Sequence, residues 1–107
     1  MKLEKRYATD MQTLTKGYIR LMNLSSALNR RRIYAAWDEA SGAGQHTIRR
    51  SFKDGKLYIT LGSSVMRSIL YMQRDIYVKK INAILRQDEL FTPEDPKVGF
   101  VNEIILK

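Results

Sequence analysis

Ser51-Phe52-Lys53-Asp54-Gly55-Lys56-Leu57-Tyr58-Ile59-Thr60-Leu61-Gly62-Ser63-Ser64-Val65-Met66-Arg67 is the stretch that sets the fold. Asp54-Gly55 is a strong hairpin signal, because both residues tolerate positive φ and a two-residue turn of that kind matches the twist of antiparallel strands. After the turn, Leu57, Ile59 and Leu61 alternate with Tyr58 and Thr60, the period of a strand with one buried face. Before it, Ile48, Arg50 and Phe52 alternate more weakly with Thr47, Arg49 and Ser51. The arms are residues 46–53 and 56–62. Beyond Gly62 the period lengthens to three and four, which predicts one long helix over 63–86. Val65, Ile69, Met72, Ile76 and Ala83 form one apolar line of it. Met66, Leu70, Tyr77, Ile81 and Ile84 widen that line into an arc able to meet a sheet and a second helix.

Upstream, residues 1–9 read as a polar, frayed lead-in. Asp10 is placed to cap a helix carrying Met11, Leu14, Tyr18, Leu21 and Met22, with Gly17 weakening it by about 1 kcal/mol relative to alanine. Asn23-Leu24-Ser25-Ser26 reads as a break, with Ser25 or Ser26 capping a second helix on which Leu28, Ile33, Ala36, Trp37 and Ala40 form the stripe. Trp37 belongs in the core by this pattern. Ser41-Gly42-Ala43-Gly44 stops that helix, since glycine readily takes the left-handed C-terminal conformation. Downstream, 87–96 is an acidic loop containing proline, and 98–106 is a strand whose Ile104-Ile105-Leu106 suggests burial on both faces. The expected class is α+β in the order α-α-β-β-α-β, a three-stranded sheet covered by helices in a single domain over 1–107.

The 107 residues are 44% hydrophobic and 28% charged, enough for one compact core. There is no cysteine, which removes disulfides, thiolate nucleophiles and cysteine metal sites together. No window approaches the roughly 18 consecutive apolar residues of a membrane span, and the first residues do not read as a signal core, so the expectation is a cytoplasmic, soluble protein with no membrane partner. The net charge is +8. It is unevenly spread: residues 45–86 hold nine basic and two acidic residues (+7), whereas 87–107 hold two basic and five acidic (−3). A field of that sign attracts polyanions, although many basic surfaces serve solubility alone.

The residues for catalysis are missing from the pattern. His46 is the lone histidine and has no cysteine or spaced carboxylate to complete a metal or acid–base site, so a structural role is the simpler reading. Asp38 and Glu39 are adjacent on a helix and point apart. Asp54 belongs to the turn, and Ser63 and Ser64 have no identifiable base. There is no phosphate-binding glycine loop of the Walker type and no dinucleotide fingerprint. The expectation is a non-enzymatic protein without catalytic residues, metal or cofactor.

Two features suit nucleic acid. At Gly62-Ser63-Ser64 a strand runs into a helix N-terminus, whose free N–H groups and dipole favour an anion; Arg67 adds a charge one turn on. The plainer alternative is a capping serine after a strand-ending glycine. The second feature is the cluster Arg49, Arg50, Lys53, Lys56, Arg67 and Arg74, which Arg31 and Arg32 extend if their helix packs nearby. Lys79, Lys80 and Arg86 lie further along the helix. Tyr58, Tyr71 and Tyr77 offer stacking surfaces for unpaired bases, or else pack at the core boundary.

The segments Ala36-Trp37-Asp38-Glu39-Ala40-Ser41-Gly42, His46-Thr47, Asp54-Gly55-Lys56-Leu57-Tyr58-Ile59, Leu61-Gly62-Ser63-Ser64-Val65-Met66-Arg67, Leu70, Met72, Ile81-Asn82 and Ile104-Ile105-Leu106-Lys107 resemble the DciA-like family over about residues 14–107. The resemblance implies a KH-like fold, DNA binding and association with a DnaB-type replicative helicase during its loading. It departs from true KH domains in one respect: the Gly62-Ser63-Ser64 segment follows a strand and lacks the second glycine of a GxxG loop. Sequence-tolerant DNA binding through Arg31, Arg32, Arg49, Arg50, Lys53, Lys56, Ser63, Ser64, Arg67 and Arg74 is the leading expectation. A protein-interaction adaptor docking on the helicase or another replication protein is the alternative, and an RNA-binding KH-like module is a third.

Overall fold

A computed structural model describes the backbone of residues 2–107 and the side chains of Leu21 and of residues 23–107. The order is α1 (Lys2–Ser41), a short 3-10 turn (Gly44–His46), β1 (Thr47–Lys53), β2 (Lys56–Leu61), α2 (Ser64–Met72), α3 (Arg74–Arg86) and β3 (Glu103–Leu106). The class is α+β with one three-stranded sheet, ordered β1-β2-β3. The expected order α-α-β-β-α-β is corrected to α-β-β-α-α-β: the two upstream helices are one, and the long downstream helix is two.

The upstream correction has a clear cause. Ser26 does not cap a new helix. Its hydroxyl donates to Asp95 Oδ2 at 2.9 Å. One turn on, Asn29 is wholly buried. Its amide donates to the carbonyls of Thr92 and Val98, both at 2.8 Å, and its oxygen accepts the Thr92 N–H at 2.9 Å. Polar residues that read as a helix break are the face that grips the loop over 92–98. The helix therefore runs through Asn23-Leu24-Ser25-Ser26, and residues 2–9 lie within it. The proposed cap Asp10 and the apolar positions Met11, Leu14, Tyr18 and Met22 have side chains outside the described residues. At the other end the expectation holds: Gly42 takes φ 64 and its N–H bonds to Asp38 O at 3.0 Å.

The downstream helix parts at Gln73, whose φ of −113 and ψ of 15 leave the helical path. Its N–H still returns to Leu70 O at 3.1 Å, and Ile76 and Tyr77 restart the ladder from Gln73 O. Neither glycine nor proline marks the site. The Arg74 guanidinium donates to Tyr71 O at 2.9 Å and satisfies a carbonyl of the last α2 turn. Of the two apolar lines read from the periodicity, the second supplies the core and the first does not. Leu70, Ile81 and Leu85 are buried, while Val65, Ile69, Met72 and Ile76 are exposed.

The hairpin forms as read, with Asp54 at φ 54 and Gly55 at φ 78. The positive φ is what calls for glycine at 55; a Cβ there would also make the exposed Asn102 side chain move aside. β1 and β2 are antiparallel, with Lys53 opposite Lys56 and Phe52 opposite Leu57; a register shift between Thr47 and Arg49 swaps the expected faces at the strand start. Thr47 turns inward, where its Oγ1 accepts Trp37 Nε1–H at 3.1 Å. Ile48, expected on the Phe52 face, is exposed instead. β3 runs parallel to β2, with Leu57 opposite Ile104. Parallel neighbours need a long crossover, and α2 and α3 supply it. The expected strand over 98–106 shrinks to Glu103–Leu106. Val98 and Val101 are buried from a loop whose position Asn82 fixes, donating to Val101 O and accepting from Val101 N.

The core lies between one sheet face and the helices. Ile33, Ala36 and Trp37 of α1 meet Phe52, Leu57, Ile59 and Leu61 of the hairpin, Ile81 and Leu85 of α3, and Ile104. Trp37 has no exposed surface, and Tyr77 meets its ring edge-on at 6.1 Å between centroids. Trp37→Ala should lower unfolding stability by about 3–5 kcal/mol through lost contacts and a residual cavity, read by urea denaturation.

Burial pushes the Asp95 carboxyl up, but the N–H groups of Val98 and Lys97 and the hydroxyls of Ser26 and Ser25 outweigh it and hold the group below the ordinary carboxylate range. A carboxylate whose folded-state pKa is depressed stabilises the fold above its unfolded value of about 3.9. That contribution is lost as pH falls through the folded value. Asp95→Ala should therefore cost about 2 kcal/mol at neutral pH, from lost hydrogen bonds to a charged acceptor. Denaturant midpoints of the two proteins should draw together as pH falls below the unfolded carboxylate value of about 3.9 and through the lower folded-state value.

Candidate nucleic-acid interface

Alternation in the sheet separates a core face from a face turned to solvent. Phe52, Leu57, Ile59, Leu61 and Ile104 are buried on one side. The strand registers place Arg49, Ser51 and Lys53, then Lys56, Tyr58 and Thr60, then Glu103 and Ile105 together on the other. Lys107 follows two residues later with its ammonium 5.5 Å from the Tyr58 ring centroid. Arg49, Lys53, Lys56 and Lys107 are exposed, and Tyr58 and Thr60 are half-buried. Arg49, Ser51, Lys53, Tyr58, Thr60 and Lys107 line one shallow groove across this face. None of the four cations joins the two ion pairs found among the described residues. Glu103, beside Lys56, is the acid that the registers put on this face.

Four unpaired cations around a half-exposed tyrosine form a surface that can neutralise a phosphate backbone and offer one ring to a base. The hairpin creates it. The tight turn sets Lys53 against Lys56, and the same register carries Ser51 to Tyr58 and Arg49 to Thr60 on the open side.

The other expected site residues lie elsewhere. Arg50 points to the core side, where its Nε donates to Asp38 Oδ1 at 3.0 Å and its Nη2 to Gly44 O at 3.3 Å. That pair ties β1 to the end of α1. Arg32 is engaged by Asp88. Burial pushes the Asp88 carboxyl up, but its hydrogen bond from Arg32 prevails and the group stays below the usual range. Arg74 caps α2 and lies 4.1 Å above the Tyr71 ring centroid. Ser63 Oγ accepts Met66 N–H at 3.2 Å, the capping alternative to a phosphate seat. Ser64, Arg67 and Arg31 are exposed. Of the ten residues, the open face gathers Arg49, Lys53 and Lys56.

Lys107 was missed. Its period-two spacing from Glu103 and Ile105 signals a shared face, but only the pairing of β3 with β2 carries it to Tyr58. His46 is exposed, and its carbonyl accepts Gly62 N–H at 2.8 Å. No helix among the described residues is long and apolar enough to cross a membrane.

No curated protein and no solved structure matches the chain. The family model described as "Dna[CI] antecedent, DciA" matches residues 11–91, which include α1 from Met11 onward, the hairpin and both crossover helices. By that match, over well more than half of its length, the chain belongs to the DciA family.

Proposed function

We propose that this chain is a non-enzymatic DNA-binding domain that works beside a DnaB-type replicative helicase. The observation that carries the DNA reading is the open sheet face, with Arg49, Lys53, Lys56 and Lys107 unpaired around Tyr58. Family membership supports the link to helicase loading. Contacts from such a face go to phosphates, which position a strand without reading its sequence. Tyr58 adds stacking that any base satisfies, so unpaired DNA is favoured over duplex.

A KH-like reading fits the two helices between the parallel strands β2 and β3, but not the mode of clamping. KH domains grip the backbone with a GxxG loop. Here the junction between the helices is Tyr71-Met72-Gln73-Arg74, without glycine. The sheet face takes over the role that such a loop would have had.

Fluorescence anisotropy against single-stranded, duplex and forked DNA and against RNA, titrated with salt, tests the proposal. Affinity should fall with a log–log slope of about −0.7 to −0.9 per phosphate neutralised. An Arg49→Glu, Lys53→Glu variant should bind at least about tenfold more weakly with a shallower slope, since at least two phosphate contacts are lost. Tyr58→Ala should weaken single-stranded binding by about 1–3 kcal/mol and duplex binding less. Unchanged affinity in the charge-reversal variant would remove the sheet face from the reading, and stronger binding to RNA than to DNA of equal length would change the ligand.

A further inference from the structure

Val65, Ile69, Met72 and Ile76 are spaced four, three and four apart along α2 and the start of α3. Their side chains are 67%, 50%, 84% and 52% exposed. Together they leave an apolar surface of the kind that marks interaction sites on small proteins. The core does not use this row, because Leu70, Ile81 and Leu85 fill the helical face that packs inward. Val65, Ile69 and Met72 share one face of α2 and form a ridge of the kind that fits the groove of another helix, with Ile76 exposed beyond the break at Gln73.

Charge selects the partner. Lys79 and Lys80 follow Ile76 by three and four residues, so they flank the end of the row, and both are exposed. Across α2 and α3, Arg67, Arg74, Lys79, Lys80 and Arg86 face a single acid, Asp75. A second copy is a poor occupant. Its other exposed apolar row, Leu21, Leu24 and Leu28 of α1, is bordered by Arg31, which would meet like charge. Its acidic loop offers Glu89, Leu90 and Glu94, but that segment forms no helix and exposes one large apolar residue, so it does not match the row. A lipid surface fits less well: the row is broken at Gln73, and the lysines stand at one end instead of along a continuous polar face.

We infer that the α2–α3 ridge is a docking site for an acidic amphipathic helix of another protein. The inference rests on this surface alone and stands whether or not the sheet face binds DNA.

A photo-reactive benzophenone side chain at Met72 of the full chain, irradiated in the cell that makes the protein, tests it, with Glu94, exposed on the loop beyond α3, as the control position. Mass spectrometry should identify a crosslinked segment with apolar residues at three- and four-residue steps and net negative charge. That segment, synthesised as a peptide, should bind the purified chain, and Ile69→Asp, Ile76→Asp should weaken it at least about tenfold while leaving DNA affinity unchanged. Met72→Glu, at the most exposed position of the row, should weaken it in the same direction if the double variant fails to fold by circular dichroism. Crosslinks to a second copy, to lipid or to a basic segment would overturn the inference, as would a Met72 signal no higher than that of Glu94.

Discussion

Asn29 lies at the centre of this molecule with no exposed surface and three hydrogen bonds to the backbone of one loop. A buried amide is tolerated only where its donors and acceptor are met, and here Thr92 and Val98 meet them as a neighbouring strand would. Ser26 and Asp95 add a second stitch one turn away, and Asp95 in turn accepts the N–H groups of Lys97 and Val98. The loop between α3 and β3 has little regular structure of its own. It nevertheless buries Phe91, Val98 and Val101, because α1 and Asn82 of α3 supply the hydrogen bonds that its backbone lacks.

Much else follows from that constraint. With the loop held, β3 begins at Glu103, beside Gly55, whose carbonyl accepts the Asn102 N–H at 2.8 Å. β3 can then lie parallel to β2 and bring Lys107 to the Tyr58 ring. The same α1 face carries Ile33 and Trp37 to the inner side of the sheet, leaving the opposite side open. The charged surface is thus a by-product of how one helix closes one loop. The arginines divide accordingly: Arg50, on the inner side, braces the end of α1, Arg32 of α1 holds Asp88, and Arg49, on the outer side, remains unpaired.

The two surfaces proposed for binding differ in kind. The open sheet face is polar and cationic, suited to a long, uniformly charged strand. The α2–α3 ridge is apolar with cations at one end, suited to a folded segment of definite shape. They occupy different elements, so the two proposed contacts do not exclude one another.

Local chemistry was legible in the sequence and tertiary choice was not. Asp54-Gly55 determined the hairpin, Gly42 the end of α1, and the alternation of Leu57, Ile59 and Leu61 the buried face, because each depends on φ or on a period that neighbours alone dictate. The basic cluster was legible as composition. Which cations remain free was decided by packing: Arg50 met Asp38 on the inner side while Arg49, its neighbour in the alternation, found no acid outside, and the parallel pairing of β3 brought in Lys107. Ser25 and Ser26 read as a cap because a serine hydroxyl close to its own backbone is a good capping group. Only the fold revealed a carboxylate, 69 residues away in sequence, for Ser26 to meet instead. The two apolar lines of the downstream helices were equally periodic, and nothing local distinguishes an apolar row that packs inward from one that waits for a partner.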